Sequence, residues 1–229
     1  MKSKNPFSYL SKFEWGLYIT SLVVVTASFI IGGGCDALTL IASLIGVTAL
    51  IFVAKGDVLG QLLTVVFALI YAVISYDLRY YGEMITYLGM TAPIAAASVI
   101  TWLRNPYKKG GREVKAAVMS RGGIALMLLL TAAVTFVFYF ILNYFGNASL
   151  GISTLSITTS FLASYLTMMR SPYYGLAYGA NDIVLIILWV IASIDDISYL
   201  PMVVCFFMFL LNDVYGFYNW RRIMKRQRG

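Results

Sequence analysis

Polar and aromatic side chains recur at helical spacing inside an apolar stretch near the end of the chain. Asp182, Trp189 and Ser193 share one helix face and Asn181 lies beside them, because residues three, four and seven positions apart point the same way on a helix. A carboxyl group, an amide and an indole ring can bind a ligand through charge, hydrogen bonds and stacking. Within apolar segments such groups usually face a bundle interior or a wet cavity, so we predict a binding face here.

Two other apolar segments carry similar faces. The first has Gln61, Thr64, Tyr71 and Ser75, and the second has Asn212, Tyr215 and Asn219, with Asp213 beside them. A structural role is the alternative for each, because amides and carboxyl groups also hydrogen-bond neighbouring helices. The residues predicted to bind substrate are Gln61, Thr64, Tyr71, Thr91, Asn181, Asp182, Trp189, Asn212, Asp213 and Tyr215.

The available residue types exclude several kinds of chemistry. The chain has no His, which excludes His-based acid–base catalysis, and its two cysteines, Cys35 and Cys205, do not form a metal-binding pattern. Asp195 and Asp196 are adjacent, but they lie at the end of an apolar segment and not within it. We therefore predict no metal, no cofactor and no enzymatic activity.

The charge of the ligand follows from the groups that could surround it. No Lys or Arg falls at mid-depth in these segments, and phosphates or carboxylates usually need such cations or a helix N-terminus. We expect a neutral or cationic ligand with a ring to stack and hydroxyl groups to bond. A positively charged ring would gain about 0.5–2 kcal/mol from each aromatic face, with a nearby Asp as its counter-ion.

The elements that must position these residues are membrane-spanning helices. Hydrophobic residues make up 60% of the 229 residues and charged residues only 12%, which is unlike soluble domains. A helix needs about 20 apolar residues to cross a bilayer. Eight segments qualify or nearly so: 13–33, 37–54, 58–76, 81–103, 122–145, 150–169, 173–194 and 198–220. The predicted fold class is an all-α polytopic membrane protein with eight transmembrane helices.

Basic residues predict how these helices are oriented. With eight spans, the N-terminus and the 104–121 loop lie at the same end of the helices. Of the 17 Lys and Arg residues, Arg79 alone falls at the opposite end. Because cytoplasmic loops collect Lys and Arg, both termini are predicted to be cytoplasmic. The net charge of +7 then reflects orientation, and no nucleic-acid partner is expected.

Displacing the sequence by 118 residues without gaps pairs its two halves. The pairs include Asp77 with Asp195, Trp102 with Trp220, Thr64 with Asp182, and Tyr71 with Trp189. Each half then holds four spans, so the repeats run parallel about an axis along the membrane normal, which is one of the common transporter plans. The loop at 104–121 is predicted to be the hinge between the halves.

Two motifs and the doubled layout resemble the PnuC family of bacterial vitamin transporters. The motifs are NDVYGFYNWRR at 212–222 and YYGEM at 80–84. The resemblance covers nearly the whole chain and implies a SWEET-like fold, with two parallel three-helix bundles joined by a linker helix. The implied regions are an N-terminal tail and accessory helix (1–36), a first bundle (37–103), a basic loop and linker helix (104–149), a second bundle (150–220) and a basic tail (221–229).

The same resemblance implies an activity. It is facilitated diffusion of nicotinamide riboside, a vitamin B3 precursor for NAD biosynthesis, with alternating access between the bundles and trapping by intracellular phosphorylation. Thiamine, riboflavin or a sugar are the alternative substrates. The closing motif carries over to Asn212, Asp213, Tyr215, Gly216 and Trp220. The first-half copy, AAASVITW at 95–102, keeps only the Trp, so the halves are not expected to contact a ligand equally.

The resemblance also implies a location and partners. The protein is expected in the bacterial inner membrane as a multi-pass protein in contact with the lipid bilayer, with nicotinamide riboside as its small-molecule substrate. A homo-oligomer, guessed to be a trimer, is expected as well, although the sequence does not define the number of subunits.

Overall fold

The computed structural model describes residues 5–32, 37–77, 81–147 and 149–229, so Cys35 and Arg79 lie outside the described residues. The helices are α1 (Lys12–Ile31), α2 (Ala37–Ala54), α3 (Val58–Asp77), α4 (Tyr81–Arg104), α5 (Arg121–Tyr144), α6 (Leu150–Met168), α7 (Tyr174–Asp195) and α8 (Leu200–Arg228). Each of the eight predicted spans is a helix, which confirms an all-helical polytopic fold.

Seven of these helices are long and apolar enough to cross a membrane. Helix α6 is the exception among the described helices because Ser and Thr recur along its whole length. Several of these hydroxyl groups donate to the carbonyl group four residues earlier, as Thr154 does to Leu150 at 2.7 Å. Such bonds satisfy polar side chains within the helix itself, so α6 can lie in an apolar bundle.

The ends of α2 and α6 have the same backbone geometry. Gly56 follows the end of α2 by two residues and has φ +67°, and Arg170 follows the end of α6 by two residues and has φ +59°. This is the left-handed conformation that closes many helices. The residue after each one donates its N–H to a carbonyl five residues back, from Asp57 to Phe52 at 3.0 Å and from Ser171 to Leu166 at 2.9 Å. The two helix ends are therefore copies of one cap, 114 positions apart.

Two tryptophans connect the halves reciprocally. The indole N–H of Trp102 on α4 donates to the carbonyl group of Thr167 at the end of α6, at 3.0 Å. The indole N–H of Trp220 on α8 donates to the carbonyl group of Val53 at the end of α2, at 2.8 Å. The ring centroids are 5.4 Å apart. Helix α4 is thus anchored on α6, and α8 is anchored on α2.

These contacts correct the register of the repeat. The two tryptophans are 118 positions apart, as the ungapped comparison has them, but Val53 and Thr167 are 114 apart, like the caps. The spacing of 114 therefore applies at the two caps, whereas the starts of α3 and α7 at Val58 and Tyr174 are 116 positions apart and their ends are 118 apart. The two registers differ by four residues, which is about one helical turn. A shift of one turn moves a side chain along the helix axis but leaves it on nearly the same face of the helix. The hydrophobic pattern therefore does not distinguish the two registers.

The helices pack as two groups of three. Helices α2, α3 and α4 follow one another in contact, and so do α6, α7 and α8, while α2 against α8 and α4 against α6 join the groups. Helix α1 packs on α2 and α8, and α5 packs mainly on α6. Apolar side chains from α1, α2, α3 and α8 form the largest buried cluster.

The segment between α4 and α5, residues 105–120, crosses both groups and is called the strap below. Its Val114 N–H donates to the carbonyl group of Gly56 at 2.9 Å, and its Ala117 N–H donates to that of Arg170 at 2.9 Å. The predicted hinge is therefore a docked segment, held at the caps of both α2 and α6. These backbone bonds satisfy polar groups that a buried loop could not leave unpaired.

The last helix extends past its predicted end at 220 to Arg228. Ile223 is buried in this extension, and Gln227 donates to Glu113 of the strap at 2.7 Å. The region 221–229, predicted as a basic tail, is therefore largely a docked helix that fastens the strap.

An N-terminal tyrosine closes the same end of the molecule, which is called the basic end below. Tyr9 donates its hydroxyl proton to the carboxylate of Asp57. Burial and this bond raise the pKa of Tyr9 to about 12, because both disfavour the phenolate. Tyr9 therefore stays a donor at neutral pH.

Candidate functional site

A chamber of about 760 Å³ lies between the two helix groups on the side toward the basic end, and it is called the proximal chamber below. Gln61 and Thr64 of α3 line it, as do Asp182 of α7 and Asp213 of α8. Its apolar walls come mainly from α2, α3 and α8.

A second chamber of about 620 Å³ lies toward the opposite end, and it is called the distal chamber. Glu83 lines it together with four aromatic side chains, Tyr71, Tyr87, Trp189 and Phe206. The ring centroids of Tyr71 and Tyr87 are 4.8 Å apart. Across the chamber are Asn147 and the hydroxyl-bearing face of α6.

The two chambers lie next to each other, because six of the described residues line both of them. The shared residues are Tyr87, Thr91, Ser160, Asn181, Leu185 and Phe206. Tyr87 and Thr91 are the ends of a π-helical segment within α4. The segment precedes Pro93, whose missing N–H removes a backbone donor, and such widened turns occur mostly at functional sites.

The carboxyl groups of Asp182 and Asp213 face each other from α7 and α8. Both residues line the proximal chamber, and their carboxyl groups are close enough to interact electrostatically. Asp182 and Asp213 are 3% exposed each, and Asp182 Oδ2 has no hydrogen-bond donor among the described residues. The pair therefore offers an unused acceptor atom next to the proximal chamber.

Two amides at the chambers keep unused donors. The Asn181 carbonyl oxygen accepts from Thr159 at 2.9 Å and from Ser156 at 3.3 Å, so its –NH₂ group is the end left for a ligand. Gln61 is buried and has no side-chain hydrogen bond within the described part of the chain. Each amide can donate to a carbonyl or hydroxyl oxygen of a ligand.

Eight of the ten predicted binding residues line the chambers. They are Gln61, Thr64, Tyr71, Thr91, Asn181, Asp182, Trp189 and Asp213. The structure brings them together from α3, α4, α7 and α8. Whether each contacts substrate remains a proposal.

Asn212 and Tyr215 lie elsewhere, contrary to the prediction that they face the path. The Asn212 amide donates to Ser21 of α1 at 3.0 Å and to the carbonyl group of Met208 at 2.8 Å. Tyr215 donates to Glu14 of α1, which also pairs with Lys55 at 3.0 Å. Both side chains join α8 to α1, because the α8 face that carries them packs on the accessory helix.

The sequence interpretation missed the polar face of α6 and the start of α4. Ser153, Ser156 and Ser160 line the distal chamber, and their spacing of three and four residues was a helical signal in the sequence. Glu83 also lines it, although it lies near the start of α4. Asn147, from the turn before α6, had no periodic signal.

No Lys or Arg is among the described residues that line either chamber. The linings combine carboxyl groups, amides, hydroxyl groups and aromatic rings. This combination agrees with the expectation of a neutral or cationic ligand.

A multi-pass helical bundle with polar chambers between two helix groups is the architecture of a membrane transporter. Comparison with known families gives the particular one. The family model described as nicotinamide mononucleotide transporter matches residues 36–222, and the chain belongs to this family, the PnuC transporters. Its members are transporters and not enzymes.

Individual relatives agree with this assignment. A nicotinamide riboside transporter PnuC of Neisseria mucosa is 26% identical over 193 residues, which cover 82% of this chain and 73% of the relative. One of Haemophilus influenzae is 26% identical over 190 residues, covering 82% and 81%. The crystal structure of the vitamin B3 transporter PnuC has a TM-score of 0.81 at 24% identity, over 95% of this chain and 94% of that one, so the fold is shared.

Proposed function

We propose that this protein carries nicotinamide riboside into the cell by facilitated diffusion. The curated relatives are named for that substrate. The observation that carries the proposal is the placement of a carboxyl pair, free amide donors and aromatic rings along one path without a lining Lys or Arg. Nicotinamide riboside has a pyridinium ring, a carboxamide and a ribose, and each of these has a matching partner in the chambers.

The chambers favour the riboside over the mononucleotide for which the family model is named. The mononucleotide adds a phosphate, and phosphates are bound by Arg, Lys or helix N-termini. Asp182 and Asp213 would instead repel it. The same repulsion supports trapping by an intracellular kinase, because the phosphorylated product would no longer enter the proximal chamber.

The transport step is alternating access between the two helix groups. Side chains from α2–α4 and from α6–α8 line the proximal chamber, which supports a relative tilt of the two groups that opens one chamber and closes the other. At the basic end, the bonds from Trp102 and Trp220 tie the groups together. These bonds are the contacts that must rearrange when the proximal chamber opens.

The basic end is the cytoplasmic end in this proposal, and the membrane is the bacterial inner membrane. Both termini are then cytoplasmic, as the distribution of Lys and Arg indicates. The expected homo-oligomer remains a prediction.

Calorimetry on purified protein in detergent tests the substrate. Nicotinamide riboside, thiamine, riboflavin and nicotinamide mononucleotide are titrated in parallel, and uptake of the labelled riboside is followed in proteoliposomes without a proton gradient. Saturable heat with the riboside and uptake without a gradient are expected. Heat with thiamine or riboflavin alone would change the vitamin, and uptake that requires a gradient would exclude facilitated diffusion.

A further inference from the structure

Glu83 is a carboxyl group that the proposed function does not use. It lies one residue after Gly82 in the first turn of α4 and lines the distal chamber. No described side chain forms a hydrogen bond or an ion pair with it. A carboxylate within a membrane-spanning segment is costly when it is unpaired, so a partner from outside the protein would stabilise it.

The surroundings of Glu83 fit a cation with an aromatic ring. Tyr71, Tyr87 and Trp189 line the same chamber, and aromatic faces attract cations with a strength that increases as water is excluded. Asn147 accepts from Ser153 at 2.9 Å through its carbonyl oxygen, which leaves its –NH₂ group for a ligand. The chamber thus has a counter-ion, a ring-stacking wall and a hydrogen-bond donor of its own.

The distal chamber is distinct from the place where Asp182 and Asp213 lie. Neither aspartate lines it, and Glu83 does not line the proximal chamber. Asn181 and Thr91 are in the wall that separates the two. A cation that leaves Glu83 would therefore pass this wall before it reaches the aspartate pair.

We propose that the distal chamber is a separate first binding station for the positively charged ring of the substrate, with Glu83 as its counter-ion. The aspartate pair is the second station, on the other side of the shared wall. This inference rests on the proposed function, because it needs a cationic substrate that travels the whole path. Because each station has a carboxyl group, the positive charge of the substrate would have a counter-ion at both positions and would not be left unpaired in the membrane.

Trp189 provides a local measurement of the first station. Among the four Trp residues of the chain, it is the one that lines a chamber, and pyridinium cations quench indole fluorescence on contact. Nicotinamide riboside is titrated into purified wild-type protein and into the Trp189→Phe variant. The difference in fluorescence quenching between the two proteins is the signal from Trp189. Thiamine, whose charged ring is a thiazolium, is titrated in the same way, so that binding of either cationic vitamin is measured.

The decisive comparison is between Glu83→Gln and Asp182→Asn. Glu83→Gln should raise the midpoint of Trp189 quenching about tenfold, since it removes a charge-assisted contact, while Glu83→Asp should retain most of the affinity. Asp182→Asn should leave the midpoint within about twofold of the wild type, because additive behaviour is expected for separate sites. Asp195→Asn is the matched control, since it removes an exposed carboxylate at the same end and should change nothing.

Several results would overturn the two-station inference. One is an unchanged midpoint in Glu83→Gln, and another is an equal loss in Glu83→Gln and Asp182→Asn, which would indicate one shared site. The titration is also repeated with potassium in place of sodium. A change in the quenching midpoint would indicate that Glu83 binds an inorganic cation and not the substrate. If calorimetry detects no binding of either cationic vitamin, the proposed function fails and the inference fails with it.

Discussion

At the scale of single residues, the site is defined by which polar groups are already paired. The carbonyl oxygen of Asn181 accepts hydrogen bonds from α6, and its –NH₂ group has no partner among the described residues. The –NH₂ group of Asn212 instead donates to Ser21 and to the carbonyl group of Met208. Two chemically identical side chains therefore have different roles. Burial alone does not separate them, because both are nearly inaccessible to solvent; the difference lies in their partners.

The aspartate pair should discriminate by charge. Asp182→Asn keeps the shape of the side chain and removes the charge, so uptake of nicotinamide riboside should weaken about tenfold or more, the scale of one charge-assisted contact. Uptake of the reduced, uncharged form of the same riboside should change much less. Labelled uptake into proteoliposomes measures both.

Glu113→Gln is a suitable control for this experiment. It removes a carboxylate of the strap, at an exposed ion pair with Arg226, far in sequence from the chambers and absent from their linings. Its uptake of both substrates should equal that of the wild type. Equal losses of the charged and uncharged substrates in Asp182→Asn would assign Asp182 a structural role.

At the scale of elements, helices are joined by single polar contacts within apolar interfaces. Asn212 connects α8 to α1. Trp102 connects α4 to α6, and Trp220 connects α8 to α2. The π-helical segment in α4 places Tyr87 and Thr91 at the wall between the chambers. Local backbone geometry thus decides what each helix presents to the path.

The joint between α1 and α8 should affect stability and leave substrate affinity unchanged. Asn212→Ala removes two hydrogen bonds in a buried interface and leaves Ser21 without its donor, which should cost about 1–3 kcal/mol. Thermal unfolding in detergent should therefore occur several degrees lower, while calorimetry should give wild-type affinity for the riboside. A large loss of affinity in a protein of normal stability would return Asn212 to the binding site.

The reciprocal tryptophan bonds make a second test at this scale. Trp220→Phe keeps an aromatic ring but removes one of the two hydrogen bonds that the carbonyl group of Val53 accepts, the other coming from the Gly56 N–H at 2.9 Å, so stability should fall by about 0.5–1.5 kcal/mol. Trp15→Phe is the control, since Trp15 is 38% exposed on α1 and its replacement should be nearly neutral. If the two variants melt at the same temperature, the bond to Val53 is not a significant brace.

At the scale of the whole molecule, the two ends are built differently. The strap, the caps of α2 and α6, the end of α8 and Tyr9 are bonded together at the basic end. The distal chamber approaches the opposite end, and Asn147 lies in a turn there. Opening toward the basic end therefore requires these polar contacts to rearrange.

The orientation of the bundle can be measured with single cysteines. In a background with Cys35→Ser and Cys205→Ser, Asp195→Cys should react with a membrane-impermeant maleimide in intact spheroplasts, because the end opposite the basic loops faces outward. Lys109→Cys in the strap should react only after permeabilisation. The reverse pattern would place the termini outside and contradict the proposed cytoplasmic basic end.

Much of the site was predictable from the sequence because membrane helices are strongly periodic. Gln61, Tyr71, Asp182 and Trp189 stood out as polar or aromatic residues in apolar segments, and the structure brings all four to the chambers. Such residues are rare in lipid unless they face an interior. The sequence therefore indicated which faces are turned inward.

The sequence by itself determined the helical spans, and it predicted the doubled layout and the charge class of the ligand, since these depend on composition and spacing along the chain. Only the tertiary structure decided that Asp213 faces the path while its neighbour Asn212 faces α1. Adjacent helical residues are about 100° apart, and a helix buried on several sides gives each direction a different neighbour. The placement of Glu83 in the distal chamber was decided in the same way, by helices that meet only in the folded bundle.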